Sequence, residues 1–392
     1  VEKAMKYCPK CQRQYSSPQR VCLEDGEPLA LQDPYHLVGR TLAEKYRIDA
    51  LIGVGGMGAV YRALHLGIDR RVAFKILLPN LALGNERLLD LFEREAKMAG
   101  RLFHENIVNI FDAGRTGDGI AYIAMEWLDG CTLGEELTAQ GRLGFERTAH
   151  ILGEVAAALD AAHARSIIHR DLKPSNIMLI KRPDGREQVK VTDFGIAKVI
   201  SETTSGQVSA PMGTPHYASP EQLHPGAPID GRSDIYSLGV TLYQMLTGTL
   251  PFDAPSAHEL IQLQMTALPP PIRRLCPEAP MAVEQLISRL LAKDPAQRPQ
   301  RAGDVSVLFE RALSYPGGRR EETQMLDDLP PQKQSRLSEK EGLTRALRAD
   351  SEATTAESSI SMDSTSATVR RVALLYKRNA QPDERVLKLL ET

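Results

Sequence analysis

Thiols are scarce in this chain. Five cysteines in 392 residues are too few to staple a protein of this length, which excludes a disulfide scaffold and suits a reducing compartment. Long apolar runs are missing too. No stretch approaches the roughly 18 consecutive apolar residues a membrane-crossing helix needs. The first residues lead into CPKC rather than into an apolar run ending in small residues, so a signal peptide is not expected. Basic excess is absent: 48 Lys and Arg stand against 50 Asp and Glu, a formal net charge of −2. Nothing there would neutralise a phosphate backbone in general. Tryptophan occurs once, which gives no support to an aromatic binding box. These absences together predict a cytoplasmic protein with no nucleic-acid or membrane partner.

What is present divides into four regions. Residues 1–33 hold three of the cysteines. Residues 40–313 carry regular apolar periodicity. Residues 314–368 lose it, and Ser and Thr fill ten of the 18 positions from Ser351 to Thr368. Such a stretch has too little apolar surface to offset its ordering entropy and reads as a disordered linker. In residues 369–392 periodicity returns: VRRVALLYKR reads as a strand and DERVLKLLE as a helix. Two elements cannot bury a core alone. They read either as a terminal extension docked on the main region or as the truncated start of a further α/β domain.

Within 40–313, short β-like runs come first (YRIDALIG, AVYRALH, RVAFKIL). A helix follows from about Glu86 to Leu102, with Leu88, Leu91, Phe92, Ala96 and Ala99 on one side. Two more β-like runs, IVNIFDAG and AYIAMEWL, precede mostly helical patterns over Thr148–Arg165, Ser233–Met245 and Ala282–Leu291. The order predicts an α+β, bilobal architecture: a sheet-rich small lobe, then a larger helical one.

LIGVGGMGAVYRA contains Gly53, Gly55 and Gly58 in G-x-G-x-x-G spacing. Residues without Cβ let a backbone turn approach phosphates, but dinucleotide folds use the same spacing. Two features separate the readings. Val60 and Tyr61 continue as a β-like run, whereas a dinucleotide fingerprint would open a helix at the last glycine. Gly-Lys-Ser/Thr of the Walker type is also absent. Lys75, in VAFK on the next strand, lies inside an apolar run, and a buried ammonium needs a partner. Glu95 shares a helix face with Leu91 and Leu88 by three- and four-residue steps and is favoured over Glu93.

HRDLKPSN at His169–Asn176 and DFG at Asp193–Gly195 resemble the catalytic loop and metal motif of a protein kinase. With the glycine loop, Lys75 and Glu95 they follow that family's motif order. GTPHYASPEQ at Gly213–Gln222 resembles the end of its activation segment, with Ser219 where the family has alanine. Asp234 and Arg298 resemble its large-lobe framework residues. The resemblance covers about 270 residues and is closest in character to bacterial kinases with eukaryote-like domains. It implies ATP and protein Ser/Thr hydroxyls as substrates and Mg²⁺ as cofactor. Asp171 would orient the substrate hydroxyl, Lys173 and Lys75 would meet phosphates, and Asn176 and Asp193 would hold magnesium. Gly53, Gly55, Gly58 and Val60 would cover the nucleotide. AMEWL would form the hinge, with Met125 as gatekeeper and the backbone of Glu126 and Leu128 on the adenine edge. Lys173 and the GTP triplet favour serine/threonine specificity. His169 and Phe194 read as packing residues.

Between DFG and SPE lie Ser201, Thr203, Thr204, Ser205 and Ser209. A phosphate there could order the loop through arginine, Arg170 included, and Thr203, Thr204 and Ser209 are the candidates for autophosphorylation. After Asn176 two β-like runs flank RPDG, a hairpin signal. This spacer is a few residues longer than the family's usual one.

The cysteine cluster resembles the zinc ribbons that precede some bacterial signalling domains. Cys8, Cys11 and Cys22 are three thiols, and Asp25 stands where a fourth would be. A carboxylate is an acceptable zinc ligand. A structural zinc site, a metal-free remnant and redox chemistry all remain open. The C-terminal strand and helix resemble the opening of a TIR-type domain. The rival function is a weakly catalytic kinase-fold scaffold that signals or self-associates through its terminal segments.

Overall fold

The structure, a computed structural model, describes residues 6–314 apart from 9, 12, 16–20, 28, 32, 56–57, 79–85 and 195–214. The expected linker beyond Ser314 and the TIR-like 369–392 segment lie outside the described residues, as do the five activation-segment hydroxyls and Gly213–Thr214.

The N-terminal module has three two-residue strands, β1 (Lys6–Tyr7), β2 (Gln14–Tyr15) and β3 (Ala30–Leu31), ordered β2-β1-β3 and antiparallel. It leads into a six-stranded antiparallel sheet. Its strands are β4 (Thr41–Leu42), β5 (Tyr46–Val54), β6 (Gly58–His65), β7 (Arg70–Leu77), β8 (Ile110–Arg115) and β9 (Ala121–Glu126), in the order β4-β5-β6-β7-β9-β8. One face buries Tyr46, Ile48, Tyr61, Phe74 and Tyr122. The Phe74 and Tyr122 rings stack 4.9 Å apart. On the other face lies helix α1 (Glu86–Ala99), which buries Leu88, Leu89, Phe92 and Ala96 against Ile123 and Met125. Stripe and sheet face match because both present apolar groups at their own period.

The larger lobe begins with β10 (Gly130–Thr132), α2 (Leu133–Gln140) and α3 (Phe145–His163). Thr132 and Glu135 form a reciprocal capping box at the start of α2, satisfying two backbone donors that helix geometry leaves orphaned. The strands β11 (Ile177–Lys181) and β12 (Glu187–Val191) complete a β10-β11-β12 sheet. The predicted hairpin turn is present, with Gly185 at φ 83°. After α4 (Pro220–Leu223) comes α5 (Gly231–Thr247), buried on almost every side, as befits a central helix. Helices α6 (Ala257–Thr266), α7 (Met281–Leu290) and α8 (Ala302–Ser314) surround it. A Cβ on Gly239 would sit 2.7 Å from the Leu290 Cβ, so a residue with no side chain sets how closely α5 and α7 approach. The fold is bilobal, sheet-rich above and helical below. No helix among the described residues is long and apolar enough to cross a membrane.

Candidate active site

The cleft between the lobes is built from β5–β6 above and the turns around β11–β12 below. Gly53 pairs with Val60 and Val54 with Ala59. The Gly55 amide donates to the Gly58 carbonyl at 2.8 Å, closing the hairpin. A Cβ on Gly58 would lie 2.5 Å from the Ile76 carbonyl oxygen, so this position needs glycine to let β6 lie on β7. The chain continues after Gly58 as a strand, as expected, and not as a dinucleotide-binding helix.

Lys75 lies opposite Val60 in the sheet. Its Nζ donates to Asp193 Oδ1 at 2.6 Å. Burial raises the Asp193 pKa, but the Lys75 charge and hydrogen bond outweigh it and hold the carboxyl below its ordinary range. Glu95, the partner expected for Lys75, is on α1, with its side chain outside the described ones. Its competitor Glu93 is engaged elsewhere: Arg115 binds Glu93, Glu86 and Asp90 together.

On the lower wall, Lys173 Nζ meets Asp171 Oδ2 at 2.7 Å. Asn176 Nδ2 donates to the Asp171 carbonyl at 2.8 Å, which leaves its amide oxygen for a cation. The Thr192 amide donates to the Asn176 carbonyl at 2.9 Å, so the Asn176 and Asp193 backbones are joined through strand pairing. An amide oxygen and a carboxylate held this way fit the hard-oxygen preference of magnesium.

Two non-glycine residues here have left-handed backbones, Arg170 (φ 64°) and Asp193 (φ 56°). Such conformations persist only where surroundings over-determine them. Asp234, fully buried at the start of α5, supplies that for the His169–Asn176 loop. It accepts from the His169 and Arg170 amides, each at 2.8 Å, and meets His163 Nε2 at 2.7 Å. His169 contacts the Thr192 carbonyl at 2.9 Å, and its ring lies 4.6 Å from that of Phe194. Both are packing residues, as the sequence suggested. Gln222 donates to the Arg170 carbonyl at 2.8 Å. Glu221 takes a two-pronged, fully buried Arg298 guanidinium at 2.7 and 2.9 Å.

In the AMEWL segment expected to form the hinge, Met125 is buried, and Trp127 bonds locally to Asp129 at 2.6 Å. Leu128 packs beside Met125 in the α1 core. The Glu126 side chain does more than sequence reasoning assigned. It accepts from Asn109 Nδ2 at 3.0 Å and from buried Lys190 Nζ at 2.9 Å. Lys190 also donates to the Ile107 carbonyl at 3.3 Å. This triad ties the end of β9, the segment before β8 and β12 together. The one sequence signal for it was a lysine between two apolar strand residues, Val189 and Val191. His163 and Gln222 were missed as well, since no spacing links either to the catalytic loop.

Away from the cleft, Cys8, Cys11, Cys22 and Asp25 converge, with one ligand atom of each within 4.8 Å of the others. Two similar turns create the cluster: Cys8 N donates to Arg13 O at 2.9 Å and Cys22 N to Glu27 O at 2.7 Å. Cys11 Sγ and Cys22 Sγ are 3.6 Å apart and unbonded, and Cys8 Sγ lies 3.3 Å from Asp25 Oδ1. Tetrahedral zinc with bonds of about 2.3 Å separates its sulfurs by about 3.8 Å, so the donor set fits. The Arg13 amide lowers the Cys11 pKa, but burial and the neighbouring Cys8, Cys22 and Asp25 raise it to about 12. Hydrogen bonding from Cys22, with help from the Glu27 amide, lowers Asp25 to about 2.

A model of the protein kinase domain matches residues 46–308. Serine/threonine-protein kinase pkn3 of Myxococcus xanthus is 45% identical over 276 residues, 69% of this chain and 50% of that protein. Serine/threonine-protein kinase PrkC of Bacillus subtilis is 40% identical over 277 residues, 71% of this chain and 42% of the relative. The chain thus spans half or less of the length of these curated relatives. Among solved structures, the Mycobacterium tuberculosis PknI kinase domain aligns with a TM-score of 0.56 at 30% identity, over 70% of this chain and 98% of that one.

Proposed function

The chain belongs to the protein kinase family, and from that premise we propose that it transfers the γ-phosphoryl group of Mg-ATP to serine and threonine hydroxyls of proteins. One observation carries the reading: Lys75, Asp193, Asp171, Lys173 and Asn176, drawn from both lobes, line one cleft and are linked pairwise by short polar contacts. A kinase-fold scaffold without catalysis would have no need to keep all five.

In this reading Asp171 orients the attacking hydroxyl and takes up its proton. Lys173, 2.7 Å from Asp171, balances charge on the transferred phosphoryl group. Lys75 fixes the nontransferred phosphates, with Glu95 as its partner once nucleotide is bound. Asn176 and Asp193 would hold magnesium, which neutralises phosphate charge. Gly53, Gly55, Gly58 and Val60 cover the nucleotide, and the Glu126 and Leu128 backbone meets adenine. The names of the relatives support serine and threonine as acceptors. Cys8, Cys11, Cys22 and Asp25 would hold a structural zinc ion.

The decisive test is phosphate transfer by purified wild type and Asp171→Asn to generic Ser/Thr and Tyr peptides. Transfer to Ser/Thr peptides by wild type alone is expected, and equal activity of the two proteins would refute the assignment. Autophosphorylation between DFG and SPE is part of the proposal. Intact mass after incubation with Mg-ATP should rise in steps of one phosphate in wild type and stay fixed in Asp171→Asn.

A further inference from the structure

The cysteine module is joined to the sheet that carries the glycine loop. β3 pairs with β1 in the register Lys6↔Leu31 and Tyr7↔Ala30, directly beside Cys8. Leu31 and Tyr35 pack onto the upper-lobe core. Between them Asp33 gathers four donors. The Tyr35 amide and the Tyr61 hydroxyl reach one oxygen at 3.0 and 2.8 Å; the Leu37 and Val38 amides reach the other at 2.6 and 2.8 Å.

Tyr61 is what gives this joint reach. Its side chain is fully buried on β6, opposite Leu51 on one side and Phe74 on the other. Its chain neighbour Val60 is opposite both Gly53 and Lys75. A short covalent and hydrogen-bonded path therefore runs from Cys8 through β1, β3 and Asp33 to the strand between the glycine loop and Lys75.

The module has little of its own to hold it together. Three strands of two residues are too short to enclose a core of their own, and so small a unit needs a staple. Its convergent thiols and carboxylate suit a metal whose binding free energy becomes folding free energy. Without that staple β3 would lose its partner strand, the turn over Tyr35–Val38 would loosen, and the Tyr61 hydroxyl would be left buried without its acceptor.

We propose that the cysteine module is a metal-dependent brace on the nucleotide-binding sheet, acting through Asp33 and Tyr61, so that loss of the metal weakens ATP binding. Asp33 is a positioning residue in this scheme and touches no substrate. The proposal rests on reading β5 and β6 as the nucleotide cover.

The test measures Mg-ATP affinity by calorimetry on the full chain, independently of phosphate transfer, with zinc content read by elemental analysis. Wild type, Tyr61→Phe and Asp33→Asn are each compared zinc-loaded, chelator-stripped and zinc-restored. In wild type, stripping should raise the ATP Kd by about threefold to tenfold, the scale of one hydrogen bond, and zinc should restore it. Tyr61→Phe, which removes one oxygen and no packing volume, should keep one zinc, bind ATP as weakly as stripped wild type, and change less than twofold on stripping. Asp33→Asn should behave likewise. The brace is refuted if reduced wild type takes up no zinc, if stripping leaves its Kd unchanged, or if stripping weakens wild type and Tyr61→Phe equally. An absence of phosphate transfer in protein that binds Mg-ATP would count against the catalytic reading and leave the brace standing on its own measurement.

Discussion

Lys75 and Asp193 are 118 residues apart in the chain, yet their side chains form a 2.6 Å ion pair across the cleft. Each was expected to face the nucleotide, one toward phosphate and one toward metal. Their pairing stores two charges where a phosphate and a cation would otherwise separate them. Lys75→Met should lower kcat/KM by about a hundredfold or more, as does loss of a preorganised electrostatic group, measured with a Ser/Thr peptide.

The same pair sets a pH dependence. The Asp193 pKa in the folded state is depressed, so its contribution to stability is present above the unfolded value, about 4, and is lost as pH falls through the folded one. In urea denaturation the stability gap between wild type and Lys75→Met should be constant from pH 6 to 8 and shrink below about pH 4.

Gly58 and Gly55 should respond differently to alanine. A Cβ at Gly58 meets the Ile76 carbonyl at 2.5 Å, while at Gly55 the nearest atom is 3.7 Å away. Gly58→Ala should cost about 1–3 kcal/mol through overpacking, and Gly55→Ala well under that. Thermal unfolding with and without Mg-ATP checks both, and a larger loss at Gly55 would contradict the packing account.

Lys190→Met leaves the Glu126 carboxylate and the Ile107 carbonyl without their shared cation. Removing one partner of a buried pair typically costs about 3–5 kcal/mol; because the Glu126 side chain is 21% exposed, about 2–3 kcal/mol is expected here. The double variant Lys190→Met/Glu126→Leu should recover part of that in chemical denaturation, since no lone charge remains.

Reduced protein supplied with zinc should hold about one equivalent, since four ligands complete a structural site. Asp25→Ala should lose it to a competing chelator faster than wild type, and Asp25→Cys should hold it longer. Metal retention during dialysis against a chelator distinguishes the three.

Much of this was legible in the chain because the relevant signals are local. Alternation marked β5, β6 and β7, and the helical stripe marked α1 to within a few residues at its end. The residues of the cleft sit in short motifs with their own spacing. What escaped is non-local. The Asn109–Glu126–Lys190 triad joins three separate elements, and Asp234 holds His169 and Arg170 from over 60 residues away. The sequence gives a residue's identity but not which distant carboxylate meets it. The IVNIFDAG run was read as a strand from its start, but β8 begins only at Ile110. Val108 turns instead toward β12, its amide donating to the Val191 carbonyl, and only the Asn109 carbonyl still reaches β9, accepting from the Glu126 amide. Likewise, the sequence marked Asp33 only as the end of the cysteine segment, and its four donors reveal a joint.

The hairpin between Asn176 and Asp193 separates chain length from geometry. Five consecutive rungs, from Ile177↔Val191 out to Lys181↔Glu187, fix the near ends of both arms, while the Arg182–Arg186 turn projects from the far end. Residues added at that tip lengthen the loop without moving Asn176 or Asp193. A short fluorescent or affinity tag placed between Pro183 and Gly185 would thus make a handle for labelling the folded protein, carried on a two-stranded stalk rooted beside Asn176.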